Sequence, residues 1–226
     1  MVNTLTPDVK KAPNVTHSTF ARMDGPIGPL YPVVDDVAWI RRLLAAGVKT
    51  VQLRIKDPAH PALREQIEEA IHLGRTCRAQ VFINDYWQLA LDLGAYGIHL
   101  GQDDLKDADL AAIANAGIRL GVSTRTAEEL AGALDIAPSY IAIGHIYPTP
   151  TKDMPTPPQG IDQLKKHLAT VGGRFPTVAI GGIDLKRAPD VWQTGVSAVA
   201  VVRAVTQSAD LNRTLEAFSD VFEVRR

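Results

Sequence analysis

The chain has 226 residues, of which 46% are hydrophobic, and a formal net charge of -1 at pH 7, as is typical of a globular protein with a sizeable core. This charge predicts neither nucleic acid nor an anionic membrane surface as a partner. No apolar run approaches the ~18 residues of a membrane span, and no basic segment followed by an apolar one marks secretion. The single cysteine, Cys77, excludes an internal disulfide and fits a reducing compartment, so we expect a cytoplasmic protein.

The first 28 residues differ in character from the rest of the chain. They are rich in Thr, Pro, Asn and Gly and show no sustained periodicity. This composition predicts a poorly ordered, mobile N-terminal extension over residues 1–28, followed by one domain over residues 29–226.

From residue 29 onward, short β-rich apolar runs alternate with helical stretches. The predicted strands are residues 30–34, 50–55, 80–84, 97–100, 119–123, 140–144, 177–181 and 198–202. The predicted helices lie around residues 36–46, 62–78, 86–93, 106–116, 126–135, 161–169, 185–194 and 210–222. Eight such units predict an α/β fold with parallel strands, a single-domain (β/α)8 TIM barrel. The alternative, an open doubly wound sheet, is less favoured because no G-x-G-x-x-G motif follows the first strand.

The second predicted strand and the residue after it, VQLRIK (residues 51–56), alternate apolar and polar side chains. If the apolar ones face the helices, then Gln52, Arg54 and Lys56 point into the barrel. Charged groups there are costly unless they are paired or face a ligand. The carboxyl ends of the strands form the active-site face of this fold, so the two cations predict an anion site.

Acidic residues follow the next two strands. Asn84 and Asp85 come after the third strand, and Asp104 comes after the fourth. Carboxylates on adjacent strand ends can share one Mg2+, which prefers one or two carboxylates, waters and substrate phosphates. The alternative is that each acid caps the helix that follows it.

The next strand end and loop also carry polar groups. Ser123 ends the fifth predicted strand, where its hydroxyl orients a substrate or caps the next helix. The longest internal loop, residues 145–160, holds five prolines and offers Thr149, Thr151 and Lys152. Long loops on this face are often functional, although a stiff surface loop is the alternative.

The last two strands end in motifs that suit a monophosphate. Gly181 and Gly182 allow close backbone approach to an anion, and the eighth strand ends at Val202 and Arg203. Loops after the seventh and eighth strands often bind phosphate in this fold, although turn chemistry alone explains either pair. The six histidines have no zinc-site spacing, and His99 and His145 are interpreted as hydrogen-bonded core residues.

The motifs QLRIKD, FINDYW, GIHLGQDDL, LGVST, GHIYPTPTKDMP, AIGGI and AVVRAV occur in this order over roughly residues 30–210. The ordered set closely resembles the thiamine phosphate synthase family. That family is a (β/α)8 barrel that joins 4-amino-2-methyl-5-pyrimidinylmethyl diphosphate to 4-methyl-5-(2-phosphoethyl)thiazole, releasing pyrophosphate. The resemblance implies a Mg2+-assisted dissociative substitution on these two small molecules, and it leaves a homo-oligomer open.

The resemblance also implies roles for individual residues. It implies that the pyrimidine diphosphate is bound by Gln52, Arg54, Lys56, Asn84, Ser123 and Lys152, and that magnesium is held by Asp85 and Asp104. It implies that the thiazole phosphate is bound by Thr149, Thr151, Gly182, Val202 and Arg203. The catalytic residues among these would be Arg54, Lys56, Ser123 and Lys152.

The chain departs from the family pattern at two positions, where Arg203 replaces the usual serine and Arg125 replaces a frequent histidine. Two other functions stay open. One is a thiazole tautomerase, a related isomerase that does not need a diphosphate–magnesium site. The other is a non-catalytic barrel that binds a phosphorylated ligand.

Overall fold

The structure, a computed structural model, describes residues 20–151 and 156–223. Eight parallel strands form a closed barrel in sequence order, β1 to β8, which confirms the predicted fold. Their bounds are Leu30–Val34, Thr50–Leu53, Gln80–Asn84, Gly97–Leu100, Arg119–Thr124, Tyr140–Gly144, Thr177–Ile180 and Ala198–Val201. The prediction located every strand and erred only at some ends, most at β2, which stops two residues earlier than expected.

The described residues form ten helices, α1 to α10. Their bounds are Val37–Ala45, Leu63–Cys77, Trp87–Asp92, Asp104–Asp107, Leu110–Asn115, Ala127–Ile136, Gly160–Val171, Ala188–Trp192, Arg203–Thr206 and Leu211–Glu223. The short helices α4 and α9 were not predicted as separate elements, and each begins at a candidate site residue, Asp104 or Arg203. Within the described ranges, none of the helices has the length and apolar character needed to cross a bilayer.

The barrel walls separate two apolar clusters. Outside, Val51, Leu53 and Ile55 belong to the cluster between strands and helices. Inside, Tyr31, Phe82, Tyr140 and their neighbours fill the barrel. The predicted alternation is therefore confirmed for β2: its apolar side chains meet the helices, and Gln52 points inward, where its Nε2 lies 3.3 Å from Tyr31 Oη.

Residues 20–28 pack against the amino end of the barrel. Phe20 and Ile27 are buried, the Gly28 N–H donates to Thr50 Oγ1 at 2.8 Å, and Ser139 Oγ donates to the Ala21 carbonyl at 2.7 Å. Residues 20–28 therefore contact strand ends that are distant in the sequence, while the predicted mobility of the N-terminal extension stays a prediction. Residues 1–19 lie outside the described residues, and the domain boundary after residue 28 stays a prediction.

Candidate active site

A cavity of about 540 Å³ opens at the carboxyl end of the barrel. Eleven of the thirteen predicted site residues line it: Gln52, Arg54, Asn84, Asp85, Asp104, Ser123, Thr149, Thr151, Gly182, Val202 and Arg203. The other two are Lys56, which is not among the lining residues, and Lys152, which lies outside the described residues. Strand ends that are far apart in sequence thus meet at one cavity, as the parallel barrel requires.

The two cations after β2 have different surroundings. Arg54 follows the strand directly, its N–H donates to the Val34 carbonyl at 2.7 Å, and it lines the cavity. Lys56 is exposed, and its Nζ donates to the Thr151 carbonyl at 3.1 Å. The alternation continues past the end of β2 at Leu53, since Arg54 lines the cavity and Ile55 is buried in the outer cluster. The expectation is wrong for Lys56, whose side chain is exposed and contacts Thr151 in the loop after β6.

Asp85 and Asp104 form a carboxylate pair on one side of the cavity. Asp85 has a left-handed backbone, with φ of 64°, and its N–H donates to the His99 carbonyl at 3.0 Å. Burial, and next the negative charge of Asp104, raise the pKa of Asp85 to about 6, while Arg54 opposes this shift. The capping alternative has no support, because neither α3 nor α4 has a side-chain cap hydrogen bond.

This pair suits a divalent cation that brings further ligands of its own. Within residues 20–151 and 156–223, no group of three or more His, Cys, Asp or Glu side chains is arranged to hold a metal ion. Magnesium keeps several waters and commonly takes one or two carboxylates with substrate phosphate. A cation bound between Asp85 and Asp104 would offset the electrostatic repulsion between the two carboxylates.

Two buried polar atoms of the cavity wall lack hydrogen-bond partners in the described part of the chain, Asn84 Nδ2 and His145 Nδ1. Burial lowers the pKa of His145, which favours the neutral imidazole. A buried polar group without a partner costs about 1–3 kcal/mol. Both atoms are therefore well suited to a ligand that supplies the missing hydrogen bonds.

Ser123 is the last residue but one of β5 and lines the cavity. Its Oγ lies 2.8 Å from His99 Nε2, and its carbonyl accepts from Gln102 Nε2 at 2.6 Å. The helix that follows is capped by Thr126, whose Oγ1 accepts from the Glu129 N–H at 3.2 Å. The alternative that Ser123 caps α6 is therefore wrong, and its hydroxyl is left at the cavity wall.

The opposite side of the cavity is built from backbone amides. Gly182 has a left-handed backbone, with φ of 66°, and a Cβ there would lie 2.5 Å from the Pro148 carbonyl. Among the described residues, the N–H groups of Gly182, Ile183, Arg203 and Ala204 have no hydrogen-bond partner. All four residues line the cavity, and neighbouring free amides of this kind attract an anion. We call these four amides the amide nest.

Two arginines flank the amide nest. Arg187 Nη1 donates to the Gly182 carbonyl at 2.6 Å, and its guanidinium lies 4.8 Å from the Tyr147 ring centre. Arg203 is exposed, lines the cavity and contacts Gln207 Oε1 through Nε at 3.2 Å. Sequence reasoning did not select Arg187, although a cation five residues beyond the Gly-Gly pair was a usable signal.

Sequence reasoning also gave Arg125 no role. Its guanidinium bonds the Glu129 carboxylate, with Nη2 to Oε1 at 2.9 Å, and the Arg125 N–H donates to Glu129 Oε2 at 2.6 Å. Arg125 therefore lines the cavity and at the same time forms an ion pair with Glu129. Where the family often has histidine, this chain therefore has a cation whose charge is largely balanced by a neighbour.

The fold and the cavity together define the class of protein. This is a (β/α)8-barrel enzyme whose carboxyl-face cavity has a carboxylate pair on one side and an amide nest on the other.

Comparison with known proteins places the chain in a family. A family model described as thiamine monophosphate synthase matches residues 30–205. A thiamine-phosphate synthase of Pectobacterium atrosepticum is 57% identical over 196 residues, covering 87% of this chain and 92% of the relative. One from an Enterobacter species is 59% identical over 181 residues, covering 80% and 85%. The chain therefore belongs to the thiamine monophosphate synthase family and is a transferase.

A solved structure agrees with this assignment. A thiamine phosphate pyrophosphorylase from Pyrococcus furiosus superposes with a TM-score of 0.75 at 29% identity, covering 86% of this chain and 95% of that one. The barrel and the sequence motifs thus lead to the same family, which confirms the resemblance seen in the sequence.

Proposed function

We propose that the protein condenses 4-amino-2-methyl-5-pyrimidinylmethyl diphosphate with 4-methyl-5-(2-phosphoethyl)thiazole, giving thiamine phosphate and pyrophosphate. The observation that carries this proposal is the two-sided cavity. One side joins Arg54 to a carboxylate pair, which suits a diphosphate with a metal ion, and the other carries the amide nest, which suits a monophosphate. The curated relatives named thiamine-phosphate synthase support the same reaction.

The diphosphate side holds the leaving group. Arg54 supplies a guanidinium that can bind two phosphate oxygens at once, and the unpartnered Nδ2 of Asn84 supplies a further donor. Gln52 and Ser123 line the same side and would orient the pyrimidine ring. Lys56, which contacts the Thr151 carbonyl in the loop after β6, and Lys152, which lies outside the described residues, are proposed as further cations for the diphosphate.

Asp85 and Asp104 would hold Mg2+ in this reaction. The bound ion would neutralise charge on the departing pyrophosphate. The raised pKa of Asp85 beside Asp104 supports this assignment, because two adjacent carboxylates need a cation to stay ionised together at low cost.

The chain's own residues fit a dissociative substitution. When the bond to the diphosphate breaks, the pyrimidinylmethyl cation is stabilised by its own ring amino group, so the protein needs no covalent nucleophile. Its cysteine, Cys77, lies on α2, away from the cavity lining. Arg54 stabilises the leaving group, and the barrel holds the thiazole nitrogen close to the reacting carbon, so that charge stabilisation and orientation together account for the catalysis.

The thiazole phosphate would occupy the amide nest. Gly182 and the first turn of α9 supply the amides, and Thr149 and Thr151 stand beside them on the cavity wall. The Thr151 N–H donates to Thr149 Oγ1 at 3.2 Å, which helps to hold this part of the loop. Arg203 brings a guanidinium to a position where the family usually has a serine hydroxyl.

Two other functions are less well supported. A thiazole tautomerase would need the amide nest but not the carboxylate pair beside Arg54, which this chain retains. A non-catalytic phosphate-binding barrel would not need two distinct anion sites in one cavity. We also propose that the protein acts in the cytoplasm, which its single cysteine fits, while a homo-oligomer stays a prediction.

The direct test is to incubate the purified protein with both substrates and Mg2+. We expect release of pyrophosphate together with thiamine phosphate, and no product when either substrate or the metal ion is omitted. Interconversion of a thiazole phosphate isomer without pyrophosphate release would favour the tautomerase. Binding of both substrates without turnover of either would favour the non-catalytic barrel, and both results would overturn the proposal.

A further inference from the structure

A line of four hydrogen bonds crosses the interior of the barrel from β2 to the end of β5. Gln52 Nε2 donates to Tyr31 Oη at 3.3 Å, and Tyr31 Oη lies 2.8 Å from Tyr140 Oη. Tyr140 Oη lies 2.7 Å from His99 Nδ1, and His99 Nε2 lies 2.8 Å from Ser123 Oγ. We call this the interior chain, and both of its ends, Gln52 and Ser123, line the cavity.

Packing holds the middle of the interior chain in place. Tyr31 and Tyr140 are almost completely buried, and Gln52 and His99 are buried as well. The Tyr140 ring meets the Phe82 ring edge-on at 5.0 Å between centres and stacks with the His99 ring. Gly121 on the neighbouring strand is needed for this arrangement, because a Cβ there would overlap the Tyr140 ring. The geometry is therefore built into the barrel.

The direction of the hydrogen bonds follows from counting protons. The amide nitrogen of Gln52 can only donate, so Tyr31 Oη is an acceptor in that bond. The one proton of Tyr31 then goes to Tyr140. If Tyr140 donated to Tyr31 instead, the buried Tyr31 proton would have no acceptor among its hydrogen bonds, at a cost of about 1–3 kcal/mol.

The same counting continues toward the cavity. Tyr140 has one proton, and since it accepts from Tyr31 it donates to His99 Nδ1. A neutral imidazole that accepts at Nδ1 carries its proton on Nε2 and donates it to Ser123 Oγ. Burial raises the pKa of both tyrosines, so each stays a neutral donor.

We infer that Tyr140 and His99 are positioning residues that make Ser123 accept from the barrel interior and donate its own proton into the cavity. Ser123 then selects a ligand atom that accepts a hydrogen bond, such as an unprotonated aromatic ring nitrogen. The proton order within the barrel does not depend on the activity. The identification of that ligand as the pyrimidine rests on the proposed function.

The first test is spectroscopic and needs no substrate. In the full chain labelled with 15N-histidine, His99 should carry its proton on Nε2, and its signal is identified by its loss in a His99→Asn variant. Tyr140→Phe keeps the ring but removes the proton donated to Nδ1, so we expect a detectable population of the Nδ1–H form. A wild-type His99 protonated on Nδ1, or a Tyr140→Phe spectrum identical to wild type, would overturn the inference.

Two further variants make this test specific. Tyr31→Phe should leave the His99 tautomer unchanged, because Tyr140 still has its proton and now only His99 as acceptor. Tyr96→Phe is the matched control, since the Tyr96 ring also packs on Phe82 but its hydroxyl bonds Asp24 at the other end of the barrel. A tautomer shift in either variant would contradict the proton order. If Tyr140→Phe does not fold, the wild-type and Tyr31→Phe spectra still decide the matter.

The second test separates the two substrates. Tyr140→Phe should raise KM for the pyrimidine diphosphate by roughly 3- to 10-fold, the effect of weakening one hydrogen bond, and leave KM for the thiazole phosphate unchanged. Equal changes in both constants would indicate a general structural defect and overturn the positioning role. If wild type has no activity while the spectra behave as expected, the proposed function fails and the proton order stands.

Discussion

Asp85 and Asp104 lie close enough for the negative charge of Asp104 to raise the pKa of Asp85, although the two acids follow different strands of the barrel. Asp85 is the residue after β3, and Asp104 is the first residue of α4, beyond β4. Burial and this like-charged neighbour raise the pKa of Asp85 to about 6. Two carboxylates held this close cost stability, which is expected of a ligand site and not of a structural contact.

The pair should therefore destabilise the metal-free protein at neutral and alkaline pH. Because the folded-state pKa of Asp85 lies above its usual 3.8, the folded protein binds the proton more tightly. Stability then falls as pH rises from about 4 to about 6. In the presence of EDTA, Asp85→Asn should raise the free energy of unfolding by about 1 kcal/mol at pH 8, after allowance for partial exposure. Asparagine tolerates the left-handed backbone at this position.

The measurement is urea unfolding of wild type and variant at pH 8 and at pH 4. The gain should disappear at pH 4, where Asp85 is largely protonated. Asp135→Asn, an exposed site on α6, is the control and should change nothing. A gain from Asp85→Asn that is equal at both pH values would contradict the electrostatic explanation.

The same acids should be needed for turnover. Asp85→Asn and Asp104→Asn should each lower kcat/KM by about 100-fold or more, the scale expected for losing a group that stabilises transition-state charge. Added Mg2+ should restore activity only in part. Steady-state rates across a magnesium titration provide the measurement, and wild-type rates in both variants would rule out the metal assignment.

Gly182 should be intolerant of any side chain. Gly182→Ala adds the strain of a left-handed backbone, about 1 kcal/mol, and also a clash with the Pro148 and Tyr147 carbonyls. Gly173→Ala is the matched control, because Gly173 has φ of 71° but open space around its Cβ position. We expect the control to lose about 1 kcal/mol of stability and retain activity. Gly182→Ala should lose thiazole phosphate binding as well, measured by calorimetric titration, and equal behaviour of the two variants would refute this.

Arg203 should contribute to monophosphate affinity. Arg203→Ser should raise KM for the thiazole phosphate roughly 3- to 10-fold, the loss of one charge-assisted contact, and leave KM for the pyrimidine diphosphate unchanged. Arg213→Ser, at an exposed site on α10, serves as the control. A larger change for the diphosphate would contradict the assignment of Arg203 to the thiazole side.

Arg187 should act by holding the amide nest. Arg187→Met removes the hydrogen bond to the Gly182 carbonyl and the guanidinium over Tyr147. We expect KM for the thiazole phosphate to rise about 10-fold, with partial recovery in Arg187→Lys, which keeps a donor but not the planar group. Lys186→Met, the exposed neighbour, should behave as wild type. A Lys186→Met effect of equal size would show that only net charge matters.

The eight strands were predictable because each depends on short-range features. Apolar runs bounded by turn residues specify β1 to β8 with errors of one or two residues. The ordered motifs also predicted most of the cavity wall, since carboxyl ends of parallel strands must share one face. Lys56 is the exception, because its side chain is exposed and contacts the loop after β6, a contact that strand alternation does not predict.

Other features depend on contacts that no local pattern encodes. The contacts of residues 20–28 and the interior chain from Tyr31 to Tyr140 join residues according to barrel closure and side-chain direction. His99 was interpreted as a hydrogen-bonded core residue, and it is one, but its link to Ser123 was visible only in the structure.

By itself, the sequence determined the barrel, the family and the kinds of groups at the cavity, because periodicity and motif order are properties of neighbouring residues. Only the tertiary structure decided which atoms are paired and which are left for a ligand. That distinction depends on distances between residues that are far apart in the sequence, 109 residues for Tyr31 and Tyr140, and hydrogen bonds exist only within about 3.5 Å.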